Sequence, residues 1–121
     1  MACVVALVPD LLFGSNLVAM LTEAGHEVVL CYQEDDTWGQ ADRADVLVVD
    51  LTTDDVDGVM LVDSMRAAGE LHGTRTLAFY SHVDAATRIR AQEVGFDLVV
   101  PRSRMAREGA ALVSGLVETP A

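Results

Sequence analysis

Two aspartates, Asp10 and Asp50, each stand at the end of a short apolar run, where a carboxylate could do chemistry. Carboxylate oxygens are suitable ligands for a hard cation such as Mg²⁺, and a carboxylate can also accept a transferred group. An aspartate in this position can instead cap the helix that follows it. Both interpretations stay open from these residues alone.

The remaining candidates for catalysis lack a recognisable context. His26 follows a glycine that ends a helix and is expected in a turn, and His72 lies in a polar loop. His82 is expected at the rim of a strand-end crevice, where it is either a general acid or base or simply exposed. Ser15 and Ser81 are not flanked by the glycines of a hydrolase nucleophile, and there is no glycine-rich phosphate loop.

The two cysteines, Cys3 and Cys31, have no histidine or cysteine at the spacing of a metal site. We therefore expect two buried, reduced thiols. Trp38 is expected in the core or an interface.

The elements that position these residues follow from hydrophobic periodicity. Five runs rich in Val and Leu read as parallel strands buried on both faces: Cys3 to Val8, Glu27 to Tyr32, Val46 to Asp50, Thr76 to Ser81 and Asp97 to Val100. Between and after them the spacing predicts helices at Leu12 to Ala24, Val59 to Ala68, Ala85 to Val94 and Arg104 to Val117, with a truncated helix within Gln33 to Ala44. Glycines end three of these helices, and Asp84 is expected to cap the fourth.

Strands alternating with helices predict a three-layer α/β/α fold, a flavodoxin-like doubly wound sheet with five parallel strands in the order 2-1-3-4-5. The length of 121 residues suits one domain, expected to span 1–121. In such a sheet the functional crevice lies at the carboxyl ends of strands one and three, where Asp10 and Asp50 fall.

The charge balance restricts the partners of the chain. Asp and Glu number 19 against 8 basic residues, all of them arginine, and the net charge is −11. Such a charge repels nucleic acid and anionic membranes, and favours solubility and a basic protein partner. The apolar runs are too short to cross a bilayer, and no basic residue precedes the first of them, so we expect a cytoplasmic protein.

Two short motifs carry a resemblance to a known family. Val46-Leu-Val-Val-Asp50 is followed seven and eight residues later by Asp57-Gly58, and Gly95-Phe-Asp97 precedes the fifth strand. Over essentially all of Cys3 to Val117, the chain resembles CheY-like response regulator receiver domains.

The resemblance implies that Asp50 is the phospho-acceptor position. Receivers also present two acids after strand one, which hold Mg²⁺ beside the acceptor. Ungapped counting places Val8 and Pro9 there, and a one-residue deletion places Asp10 on the second position, so that at best Asp10 and Asp50 would hold Mg²⁺ weakly.

The phosphoryl-contact positions of the family also carry unusual residues here. They correspond to Tyr80, with Ser81 beside it, and to Arg102 in place of a lysine, although aligning Pro101 with the family's proline puts Val100 there instead. The aromatic switch position holds Val99. The phosphorylation pocket is therefore depleted, as in a degenerate (pseudo-receiver) member.

The resemblance implies a stand-alone signalling module of two-component type that is no enzyme in its own right. It would act through protein–protein contact with a histidine kinase or a downstream effector. Homodimerisation through the fourth helix, fifth strand and fifth helix is a hypothesis that also draws on small residues of the last helix: Gly109, Ala110, Ala111 and Gly115.

Two alternatives remain. The first is a functional phospho-acceptor at Asp50, assisted by Asp10, Mg²⁺, Ser81 and Arg102. The second is a binder of a small ligand such as a nucleotide or flavin, in a strand-end crevice walled by Val8, Pro9, Leu11 and Leu12.

Overall fold

The computed structural model describes residues 2–118, which form one five-stranded sheet with helices on both faces. The strands are β1 (Cys3–Leu7), β2 (Glu27–Cys31), β3 (Val46–Asp50), β4 (Arg75–Tyr80) and β5 (Leu98–Pro101). The helices are α1 (Leu11–Glu23), α2 (Glu34–Trp38), α3 (Gly58–Ala67), α4 (Ala85–Val94) and α5 (Arg102–Glu118), with a 3-10 turn at Ala41–Arg43. All strand pairs are parallel and the order is β2-β1-β3-β4-β5, which confirms the predicted topology.

Alternate residues of the central strands fill two separate cores. On β1, Val4 and Ala6 pack under α1 and α5, whereas Val5 and Leu7 pack on the opposite face, under α3. This follows from the two-residue period of a strand, and it requires β1 and β3 to be apolar throughout. The edge strand β2 departs from the prediction, because Glu27 and Val29 are exposed and burial alternates along it. Helix α1 packs on one face of β2, and on the other face only Cys31, at the end of the strand, joins the core against which Trp38 of α2 packs.

Helix starts follow from local chemistry. Asp10, Asp57 and Asp84 each accept a hydrogen bond from a backbone N–H of the first helical turn, at 2.9 to 3.1 Å. The helix predicted at Ala85 to Val94 has those bounds, and Gly95 ends it with φ of 100°. Helix α5 begins at Arg102, two residues earlier than predicted.

His26 lies directly after the turn that ends α1, as predicted, and its N–H donates to the Leu21 carbonyl at 3.0 Å. His26 is buried: its Nδ1 accepts a hydrogen bond from the Ala2 N–H at 3.1 Å, and its Nε2 lies 3.1 Å from Ser114 Oγ. Cys31 is buried as expected, whereas Cys3 is only partly buried, and both are free thiols. Trp38 packs against the core, as predicted.

Candidate functional site

Asp50 ends strand β3 at the carboxyl edge of the sheet, and its side chain is enclosed. The residue is 1% exposed. Its Oδ1 accepts hydrogen bonds from the backbone N–H of Thr52 at 2.7 Å and from the Thr52 hydroxyl at 2.6 Å. This Asx turn satisfies one oxygen of the carboxylate, Oδ1, and it brings the Thr52 hydroxyl onto Asp50.

Asp10 has two partners, and neither is Asp50. Its Oδ1 accepts from the Phe13 N–H at 2.9 Å as the cap of α1, and its Oδ2 lies 3.3 Å from Arg102 Nη2. The backbone hydrogen bond from Phe13 is the largest cause that lowers the pKa of this carboxyl below its ordinary 3.8, and the Arg102 guanidinium adds to the effect. Asp10 is therefore both a helix cap and one half of an ion pair.

Arg102 is the first residue of α5 and connects it to the start of α1. Besides the Asp10 carboxylate, its guanidinium lies 4.5 Å from the centre of the Phe13 ring, a cation–π arrangement. The Phe13 ring in turn lies 4.8 Å from the ring of Phe79 in β4. The head of Arg102 is thus directed onto the β1–α1 connection.

A cavity of about 490 Å³ opens beside these residues at the ends of β4 and β5. It is lined by Phe13, Thr52, Ser81, His82, Pro101, Arg102, Ser103 and Ala106. The structure therefore brings Ser81 and Arg102 together, with His82 at the same cavity. Tyr80 ends β4 opposite Pro101 and is not among the lining residues. None of the four residues of the expected apolar wall, Val8, Pro9, Leu11 and Leu12, lines this cavity: Val8 is fully buried, and Leu11 and Leu12 are 69% and 74% exposed.

The side chains at this edge do not fit a magnesium ion. Octahedral Mg²⁺ needs converging oxygen ligands. Val8 is fully buried among apolar residues, the Asp10 carboxylate is held by a backbone N–H and an arginine, and Asp50 has one oxygen turned to Thr52. Within residues 2–118 there is also no group of three or more His, Cys, Asp or Glu that could hold a metal ion.

The two sequence motifs serve the fold. Asp57 caps α3, and a Cβ on the following Gly58 would meet the side chains of Val49 and Leu51, so glycine lets α3 start close against β3. Asp97 accepts hydrogen bonds from the Thr76 N–H at 2.7 Å and from its hydroxyl at 3.2 Å, tying the start of β5 to β4.

Sequence reasoning missed Thr52 and Phe13. A threonine two residues after an aspartate is a signal for an Asx turn and could have indicated the enclosure of Asp50. The stacking of Arg102 on Phe13 joins residues 89 positions apart, and no local signal predicts it.

No protein-family model matches the sequence, and no curated protein matches it. Solved structures do match over nearly the whole chain. The receiver domain of Francisella response regulator 1452 aligns with a TM-score of 0.84 at 16% identity, covering 98% of both chains. A DNA-binding response regulator of the LuxR family from Staphylococcus aureus aligns at 0.83 and 11% identity, covering 98% of this chain and 100% of that one.

A response regulator from Thermotoga maritima gives 0.80 at 15% identity, with 97% of this chain and 98% of that one covered. The chain therefore has the flavodoxin-like fold of response regulator receiver domains, which confirms the predicted fold. In the described part of the chain, no helix is both long enough and apolar enough to span a membrane.

Proposed function

We propose that this chain is a receiver-like signalling module that acts through protein–protein contact in the cytoplasm, with a phosphorylation pocket that no longer works in the magnesium-dependent way. The observation that carries the proposal is the state of Asp50. Its carboxylate, at the acceptor position that the resemblance implies, is 1% exposed and bonded to Thr52. A phosphodonor can reach the other oxygen only if the covering residues move.

The ion pair between Asp10 and Arg102 supports the same proposal. In a receiver, the residues at the positions of Asp10 and Arg102 would hold the cation and contact the phosphoryl group. Here their charges neutralise each other in an ion pair, with Asp10 Oδ2 3.3 Å from Arg102 Nη2. The guanidinium also lies against the Phe13 ring, and among the described residues its ion-pair partner is Asp10 rather than Asp50. Signalling would then depend on which surfaces the module presents to a kinase or an effector, and the module itself would catalyse nothing.

Mass spectrometry of the intact protein tests this proposal. The wild-type chain and the Asp50→Asn variant are incubated with acetyl phosphate and Mg²⁺ and then weighed. We expect neither protein to gain the mass of a phosphoryl group. A gain in the wild type that Asp50→Asn abolishes would overturn the proposal and establish Asp50 as a working acceptor, assisted by Ser81 and Arg102.

The cavity beside Arg102 supports a second candidate, the binding of a small anionic ligand. Its volume of about 490 Å³ falls within the range of ligand pockets, and arginine, histidine and serine side chains share it with the Phe13 ring. A thermal-shift panel of nucleotides and flavins checks this candidate. A shift that Arg102→Gln removes would support it, and an unchanged melting temperature across the panel would reject it.

The homodimer through α4, β5 and α5 stays a proposal, but not all of the small residues of α5 are available to support it. Gly109 does not serve it, because a Cβ there would lie 2.7 Å from Met20 Cε, so this glycine allows α5 to pack on α1. Ala110 also packs on that core, whereas Ala111 is exposed. X-ray scattering at increasing concentration tests the dimer, and a constant monomer mass would reject it.

A further inference from the structure

We propose that the outer edge of strand β2 pairs with an extended segment of a partner protein, which adds a strand to the sheet and carries basic residues on both sides of an apolar centre. We call this edge the β2 edge and define it by Glu27, Val28, Val29 and Leu30. The inference rests on the proposed function only in that the module works by binding protein. It requires no phosphorylation.

The hydrogen bonds between β2 and β1 show which backbone groups of β2 are used inside the sheet. The Glu27 N–H donates to the Ala2 carbonyl at 2.9 Å, and the Cys31 carbonyl accepts from the Val8 N–H at 3.0 Å. Successive residues of a strand direct their N–H and C=O groups to opposite edges. The two ends of β2 therefore assign Glu27, Val29 and Cys31 to the edge that bonds to β1.

The residues between these three, Val28 and Leu30, direct their N–H and C=O groups away from β1. In the part of the chain that the structure describes, β2 is the last strand on its side of the sheet, so no strand lies beyond it. Within residues 2–118, none of the hydrogen bonds of turns, loops and caps reaches these backbone groups either. The β2 edge thus presents donors and acceptors in the spacing that an added strand can match.

The sequence of β2 does not block this edge. Natural sheets protect an edge strand with lysine, proline, a bulge or a covering element. Strand β2 reads Glu-Val-Val-Leu-Cys and pairs with β1 residue for residue, without a bulge. On the face opposite α1, Glu27 and Val29 are exposed, Val29 to 36%. The other edge strand, β5, differs because it ends in Pro101, which has no N–H to donate.

Carboxylates flank the apolar centre of the β2 edge. Glu27 begins the strand, and Glu34, Asp35 and Asp36 follow it in the first turn of α2. No arginine among the described residues forms an ion pair with any of these four side chains. Electrostatic complementarity therefore favours lysine or arginine at both ends of the added segment, and the exposed Val29 favours an apolar residue at its centre.

The charge also decides between two occupants that could supply a strand. A second copy of this chain would bring its own Glu27 and the acids of α2 to the edge, in a chain of net charge −11. An extended basic segment offers the same backbone groups without that repulsion. In strand addition of this kind, main-chain hydrogen bonds supply the affinity and alternate side chains supply the specificity.

Amide hydrogen exchange of the ¹⁵N-labelled chain tests first whether the edge is open. We expect the amides of Val28 and Leu30 to exchange with solvent at least about tenfold faster than those of Val29 and Cys31, which are bonded to β1. Equal protection of all these amides would show that the edge is closed and would overturn the proposal.

A peptide titration then tests the partner. The peptide is capped at both termini and has arginines at both ends, with alternating valine and threonine between them. We expect saturable shifts centred on residues 27–31. At about 90% occupancy the exchange of Val28 and Leu30 should slow about tenfold, because only the unbound fraction exchanges. Neither the same peptide with N-methylated inner amides nor one with glutamate in place of arginine should give this protection.

Variants of the chain locate the contact. Val28→Pro removes an outward N–H and costs no hydrogen bond to β1, so it should abolish binding and leave the chain folded. Should this variant fail to fold, Glu27→Gln with Val29→Lys changes two exposed positions and should weaken binding by at least about fivefold. The matched control, Glu93→Gln with Val83→Lys, makes the same changes at exposed positions in and before α4 and should leave the affinity unaltered.

Several outcomes would overturn the proposal: no saturation by about 1 mM peptide, equal binding of the N-methylated or the acidic peptide, equal weakening by the control pair, or shifts centred elsewhere on the chain. Protection of Val28 and Leu30 that grows with protein concentration, without peptide, would identify a second copy as the occupant and would also overturn it. Phosphorylation of Asp50 would refute the proposed function and leave this result unaffected.

Discussion

At the scale of single residues, the two aspartates at the sheet edge are held by different partners. Asp50 is buried and bonded to Thr52, while Asp10 is exposed and bonded to a backbone N–H and to Arg102. One oxygen of Asp50 and both oxygens of Asp10 therefore already have hydrogen-bond donors within the chain. A ligand at this edge has to compete with those donors.

The pKa of Asp10 offers a residue-scale prediction. In the folded chain it lies below the ordinary 3.8, so the ionised carboxylate contributes stability above that pH, and the contribution is lost as the pH falls through the folded pKa. We expect Arg102→Gln to raise this pKa only in part, because the larger cause, the hydrogen bond from the Phe13 N–H, remains. A carboxyl-detected NMR titration of wild type and variant measures both values.

Arg104→Gln is the matched control for this titration, since Arg104 pairs with Glu108 on the same helix and has no contact with Asp10. An Asp10 pKa that is identical in wild type and Arg102→Gln would contradict the ion pair.

At the scale of elements, short sequence patterns predicted the helix starts and strand positions, because residues close together in the sequence determine them. The starts of α1, α3 and α4 follow from an aspartate whose side chain reaches an N–H three residues on, so sequence spacing alone locates them within a residue or two. The apolar runs likewise located every strand to within one residue.

Contacts between elements that are far apart in the sequence could not be predicted. Burial along β2 depends on its being an edge strand, and the burial of His26 could not be foreseen because its partner Ser114 lies 88 residues away. At the candidate site, Asp50 and Arg102 could be named from the motifs. Their actual partners, Thr52 and Phe13, depend on side-chain packing.

Glycines in two helices give the element-scale prediction. At Gly58 a Cβ would run into Val49, whose branched side chain is fixed in the core, so Gly58→Ala should lower the free energy of unfolding by about 1–3 kcal/mol. At Gly115 a Cβ would meet nothing within 4 Å, and Gly115→Ala should raise it by roughly 0.5–1 kcal/mol. Urea unfolding measures the change in the free energy of unfolding for each variant. Two changes of the same sign and size would contradict the close approach of α3 to β3.

At the scale of the whole molecule, charge is the dominant feature. A net charge of −11 on 121 residues favours solubility and a cationic partner, but it also makes the compact state repel itself. Salt screens this repulsion, since the Debye length falls from about 30 Å at 0.01 M to about 3 Å at 1 M.

We therefore expect the midpoint of thermal unfolding to rise steadily as sodium chloride is added. Choline chloride should produce the same rise, because screening does not depend on which cation is present. A midpoint that is flat or falls with salt would contradict self-repulsion, and a rise with sodium alone would indicate a specific cation site.

The central claim, that the enclosed Asp50 and the paired Asp10 leave no place for a metal-supported phosphoryl group, is tested most directly by titrating the ¹⁵N-labelled chain with beryllium trifluoride in the presence of Mg²⁺. Beryllium trifluoride imitates a phosphoryl group on an aspartate. We predict that the amides of residues 50–53, 81–82 and 102 keep their positions throughout. Saturable, magnesium-dependent shifts of those amides that disappear in Asp50→Asn would contradict the account.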